Sequence, residues 1–260
     1  SLTNDIRKVL EKINTPLFPN HPYGTQTVLG TQEHLKNPSI TNIKNYHKTW
    51  YVPNNMAICL SGDFNPDEMI AIIDRYFGDM QPNPNLPKLE FPKEKEITEP
   101  IVAEVVGLEA ESVFLSWRFP GAGHPDGEKL ELLSQILFNG TAGLFDLNLI
   151  QQQKVLYGLC TPFTMSDYSA FIMYGGPKQG QTLEEVKDLF FAELKNLREG
   201  NFDEGLLEGI LNTYKRSQQM QLESNDSRAD MFVNSFVNGT NWADEVGRME
   251  RLANITKQLV

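Results

Sequence analysis

The 260-residue chain is 40% hydrophobic and 22% charged, which is ordinary for a globular domain and enough to bury a core. With 23 Lys and Arg against 34 Asp and Glu, its formal net charge is −11, which opposes the phosphate neutralisation that nucleic-acid binding needs and disfavours anionic membrane surfaces. No apolar run approaches the roughly 18 to 20 residues of a membrane-spanning helix, so neither nucleic acid nor membrane insertion is expected.

In chain order, Leu2, Ile6, Val9, Leu10 and Ile13 predict a short helix over 2–14, stopped by Thr15-Pro16. A Pro-, Gly- and Thr-rich loop follows and carries His21-Pro22-Tyr23-Gly24. Ser39 offers a helix start, and Ile40, Ile43, Tyr46, His47 and Trp50 recur at helical spacing up to Val52-Pro53. Asn54-Asn55 turns the chain into Met56-Ala57-Ile58-Cys59-Leu60, a short apolar run expected to be a buried strand. Asn65-Pro66-Asp67-Glu68 then opens a helix through Met69, Ile70, Ile73, Tyr76 and Phe77 that Gly78 ends. Five prolines between 81 and 100 predict an extended surface connection, the place for an internal boundary within the 1–260 domain.

Residues 101–106 and 112–119 are β-rich and close enough to pair as a hairpin, ended by Pro120-Gly121. Leu130, Leu133, Ile136 and Leu137 mark a helix ending at Asn139-Gly140, and residues 144–153 a second one. Residues 157–163 and 168–174 predict another antiparallel pair, broken by Gly175-Gly176-Pro177. Thr182 and Asp203 cap two amphipathic helices, 225–237 and 241–253 add two more, and a further one begins at Ile255. Hairpins alternating with helices, without a repeated βα unit, give an α+β class: a mainly antiparallel sheet, helices packed on one face, and a helical C-terminal third.

Few residues suggest chemistry. His21 beside Pro and Tyr reads as structural, and His124 with Glu128 at i, i+4 supplies two groups where a zinc site needs three protein ligands. Gly175-Gly176 near Lys178 and Gly180 lacks phosphate-loop spacing and reads as a turn. No Ser or Cys sits in a nucleophile-elbow pattern. Cys59 and Cys160 lie in apolar runs where a free thiol behaves as a small hydrophobe.

Several linked stretches, His21-Pro22-Tyr23-Gly24 with Leu29-Gly30-Thr31, then Tyr51-Val52-Pro53-Asn54-Asn55-Met56, then Gly62-Asp63-Phe64, stand in an order and spacing that resembles the insulinase and pitrilysin family of zinc metallopeptidases, which includes the mitochondrial processing peptidases. The likeness continues through Phe119-Pro120-Gly121 and Val155-Leu156-Tyr157-Gly158. Catalytic members carry H-x-x-E-H on a helix, two zinc ligands and a general base, and this chain has no such motif. The resemblance therefore implies a fragment that follows the metal-bearing subdomain, with zinc in the parent protein and neither a catalytic residue nor a metal ligand here. Relatives also use a pattern like L-R-x-K-x-x-L-x-Y to hold substrate; Tyr157 matches its Tyr, while Ile150 stands at the Arg. Tyr157 is thus the implied substrate contact, and the implied partners are a peptide or unfolded protein and a homologous second half or partner subunit. The implied role is a noncatalytic subdomain that walls a peptide chamber; the alternative is an inactive binding or assembly subunit of the same fold.

Overall fold

The structure, a computed structural model, describes residues 5–257 and divides into two compact units between Leu108 and Glu109. In the first unit α1 (Asp5–Leu17) runs through the expected stop at Thr15-Pro16. Pro16 falls in the last turn, where the Thr15 hydroxyl donates to Glu11 O (2.9 Å) and Phe18 N–H still reaches Asn14 O (2.9 Å). Burial of Leu17 and Phe18 favours that extra turn over a stop at the proline. Residues 2–4 of the predicted helix lie outside the described residues.

Short side chains set the next helices, as their sequence positions require. His21 Nδ1 accepts Tyr23 N–H at the start of α2 (Pro22–Thr25), and Thr31 and His34 form a reciprocal cap on α3 (Gln32–Lys36). Ser39 Oγ accepts Asn42 N–H (3.2 Å) on α4 (Ile40–Trp50), and Asn65 caps α5 (Pro66–Phe77) with Pro66 at its first position.

Two expected strands are corrected. Met56–Leu60 is not a strand, since a ladder needs a hydrogen-bonding neighbour and none exists for it among the described residues. Residues 101–106 do not pair with the following run either; Val102 and Val106 are 89% and 91% exposed. The end of that segment is held in the first unit by Asp5, whose Oδ2 accepts Leu108 N–H at 2.6 Å, over a Gly107 whose missing Cβ would lie 2.3 Å from the same oxygen. The proline-rich stretch 81–100 forms no helix or strand and lies wholly within this unit. It is tied back by Asn83, which exchanges hydrogen bonds with Asn54 (2.9 and 2.8 Å).

The second unit holds the sheet, β1 (Val113–Pro120), β2 (Tyr157–Thr164) and β3 (Tyr168–Gly176), all antiparallel in the order β1-β3-β2. Register sets two faces: Leu115 and Cys160 both oppose Met173, and Trp117 opposes Phe171. That face meets α6 (Asp126–Leu137) and α7 (Leu183–Arg198), whose Leu132, Ile136, Val186 and Phe190 are fully buried. The fold is therefore α+β with an antiparallel sheet covered by helices on one face. The C-terminal third is helical, with α8 (Glu204–Glu223), α9 (Asn225–Asn238) and α10 (Trp242–Ala253). Ion pairs Glu128–Arg251 (2.5 Å) and Glu131–Arg248 join α6 to α10. The helix expected from Ile255 is absent over 255–257, and 258–260 fall outside the described residues.

Two further differences concern the middle of this unit. The expected helix over 144–153 is a π-helical turn at Asp146–Ile150, with Gln151 N–H bonded to Asp146 O at 2.9 Å. Gly175 and Gly176 do not break β3; they are its last paired residues, opposite Gly158 and Tyr157. A Cβ on Gly175 would sit 2.6 Å from the Phe190 ring, and one on Gly176 2.4 Å from the Tyr157 ring, so the glycines let aromatic rings lie flat on the strand.

Candidate functional site

Tyr157, the residue that resemblance assigns to substrate, is the first residue of β2, 37% exposed, on the sheet face turned away from α6 and α7. Its ring lies over Gly176 and meets Tyr174 edge-on (6.5 Å, 72°), and Tyr174 stacks on Phe114 of β1 (5.0 Å, 5°). An aromatic row thus crosses all three strands. Sequence alone missed Phe114 and Tyr174; the signal was the β1–β3 register, which is legible only once the pairing of the strands is known. The row offers flat apolar surface and two phenol hydroxyls, which suits contact with an extended polypeptide and supplies neither nucleophile nor general base.

The segment leading to Tyr157 is held in place by buried polar groups. Asp146, in a largely apolar run, accepts the N–H groups of Asn139 (3.0 Å) and Gly143 (2.9 Å) with one carboxylate oxygen. Asn139 Oδ1 in turn accepts from Thr141 and Ala142 (3.0 and 2.9 Å). Buried Glu193 of α7 accepts the side-chain amides of Asn148 (2.8 Å) and Asn196 (3.1 Å). Gln153 takes a left-handed φ of 53°, and the carbonyls of Gln153 and Lys154 accept from the Lys178 and Gln181 side chains (3.2 and 2.8 Å). Ile150 packs against the core, so the position where relatives carry Arg presents no charge.

The histidines are occupied with local structure. His21 is buried between Tyr23 (4.1 Å) and Phe91 (4.6 Å), His34 caps α3, and His47 stacks on Tyr51 (4.5 Å, 13°). His124 Nδ1 accepts Asp126 N–H (3.2 Å), while Glu128 is committed to Arg251. Among the described residues no three His, Cys, Asp or Glu side chains converge as a metal site. The Cys160 thiol points at Ser134 O (3.5 Å), and burial, helped by the Asp146 charge, pushes its pKa up to about 12. That thiol is a core group and not a nucleophile.

Known proteins share this fold. The Helicobacter pylori zinc protease PqqE is 23% identical over 225 residues, 84% of this chain and 50% of that protein. The crystal structure of a protease from Helicobacter pylori superposes with a TM-score of 0.78 at 19% identity, covering 97% of this chain and 66% of that one. A peptidase M16 inactive domain from Pseudomonas fluorescens gives 0.78 at 17% identity, covering 98% and 61%. The chain spans about half the length of the curated relatives it matches. A family model described as the Peptidase M16 inactive domain matches residues 39–214, more than half of the sequence, and the chain therefore belongs to the M16 family, the insulinase-type zinc peptidases, and carries that family's inactive domain.

Proposed function

We propose that the chain is the noncatalytic part of an insulinase-type zinc endopeptidase, walling a peptide-binding chamber and supporting a metal-bearing subdomain encoded upstream. The reading rests above all on the first unit, where successive elements leave apolar side chains bare. Ile40, Ile43 and Tyr46 of α4 are 67%, 57% and 62% exposed, and Met56, Ile58, Leu60, Ile70 and Tyr76 are exposed after them. So much apolar surface on amphipathic elements marks one side of a core that the first unit does not complete by itself. In such an enzyme zinc lowers the pKa of a bound water and polarises the peptide carbonyl. The described residues of this chain lack the ligand set for that ion, so no step of hydrolysis is assigned to them. Their part is to present the aromatic row of Tyr157, Tyr174 and Phe114 to an extended peptide or unfolded protein, opposite a homologous half or partner subunit.

The test compares the isolated chain with the chain joined to the preceding segment of its parent. The isolated chain should neither retain stoichiometric zinc after dialysis nor cleave an unfolded peptide, and the joined protein should show chelator-sensitive cleavage. There, Tyr157→Ala should lower kcat/KM by about tenfold, of the order expected for losing one aromatic contact. One zinc held tightly by the isolated chain, with chelator-sensitive cleavage, would overturn the assignment. A joined protein without H-x-x-E-H, zinc or cleavage would instead leave the binding or assembly subunit.

A further inference from the structure

A cavity of about 430 Å³ lies in the second unit between the helix-covered face of the sheet and the facing sides of α6 and α7. It is separate from the aromatic row, which is on the other face. Its floor is apolar: buried Leu130 and Phe171, with Trp117 packed edge-on against Phe191 (6.4 Å, 87°). Its rim is different. Phe191, Leu194, Lys195 and Arg198 follow one another at i, i+3, i+4 and i+7, so a single face of α7 carries two apolar groups and then two cations one turn further on. Lys195 reaches only Glu199, at 3.9 Å on an exposed surface, and Arg198 enters no ion pair among the described residues. No carboxylate lines the cavity. A volume in the range of small-ligand sites, an apolar floor and two cationic side chains on the α7 wall suit an amphiphile with a single anionic head.

We infer that this cavity binds a monocarboxylate with a straight apolar tail, the tail over Trp117 and Phe171 and the carboxylate held by Arg198 and Lys195. Charge makes the choice of ligand. In a chain of net charge −11 the general field repels anions, so Arg198, without an ion pair among the described residues, and Lys195, which reaches only Glu199 at 3.9 Å, select an anion whose tail supplies most of the binding. Guanidinium and ammonium groups on one rim fit a carboxylate, with Arg able to engage both oxygens. The inference is independent of the chamber-wall reading, since it uses the opposite face of the sheet.

Isothermal titration of the 260-residue chain with hexanoate, octanoate and decanoate, all below their micelle concentrations, tests it. Affinity should rise by about fourfold per methylene until the cavity is filled and then level off. Decanol and decyltrimethylammonium should bind at least about tenfold more weakly than decanoate, and the exposed double variant K195Q/R198Q should lose a similar factor while its melting temperature stays unchanged. Magnetisation transfer from the decanoate chain to the Trp117 indole should locate the tail. Equal binding of decanol and decanoate, unchanged binding by the double variant, or no binding of decanoate would each overturn the inference. So would a cavity already filled by a second copy, seen as chain association that decanoate does not compete with.

Discussion

Helices α4 and α7 carry the same kind of apolar stripe and meet different fates. On α7, Val186, Phe190 and Leu197 are buried against the sheet and its neighbours; on α4, Ile40, Ile43 and Tyr46 face outward. The hydrophobic period reports which side of a helix wants cover, and it is silent on whether the same stretch of chain supplies that cover. The second unit contains its own answer in β1, β2 and β3, whereas the first contains only the question.

The largest expected contrast comes from truncating equivalent stripes. Phe190→Ala removes a ring stacked on Phe145 (4.7 Å, 11°) and should destabilise the second unit by about 3 to 5 kcal/mol, read by urea unfolding. Ile43→Ala should change stability by no more than about 0.5 kcal/mol in the isolated chain. Should Ile43→Ala cost as much as Phe190→Ala, the contrast fails.

Glycines give the next step down. Gly175→Ala drives a methyl to 2.5 Å from Tyr157 O and should cost about 1 to 3 kcal/mol, whereas Gly62→Ala meets only the Phe64 ring at 3.7 Å and should be near neutral. Caps come third. Thr182→Ala removes the reciprocal cap with Glu185 and should cost about 1 kcal/mol globally, while Ser39→Ala should mainly speed amide exchange in the first turn of α4.

The smallest effect is one of pH. Burial raises the Glu131 pKa above its ordinary 4.5, with Arg248 opposing and Glu128 adding to the rise. Because the folded state holds this proton to higher pH than the unfolded one, the side chain favours folding below 4.5, and that contribution fades as pH climbs through the raised value. Glu131→Gln should flatten the stability curve of the second unit across that window, as followed by melting temperature against pH, with no change in the first unit.

Local chemistry was legible in the sequence wherever a short side chain decides alone. Ser39, Asn65, Thr182 and Asp203 cap the helices their positions announce, and Pro66 starts α5. Pairing was legible for the hairpin of residues 157–163 with 168–174, which is β2 with β3, and not elsewhere. Met56–Leu60 has the composition of a buried strand, yet a strand is a relation between two segments, and composition names only one of them. The π-helical turn at Asp146–Ile150 stayed hidden because its apolar spacing also suits an ordinary helix; the acidic residue inside that run was the available warning, and it gathers the N–H groups of Asn139 and Gly143. For the candidate site, Tyr157 could be marked from its motif, but its neighbours depend on register, and the apolar cavity depends on how α6 and α7 lie on the sheet.

The two thiols divide along the same line, with a practical result. Cys160 is sealed in the second unit with its pKa pushed up to about 12, and only a thiolate attacks alkylating reagents, so at neutral pH it should stay unmodified. Cys59 is half-buried on the extended segment of the first unit, between the exposed side chains of Ile58 and Leu60. A maleimide dye will therefore settle at one position of the unaltered sequence, and its emission will shift when any polypeptide comes to lie along residues 56–60.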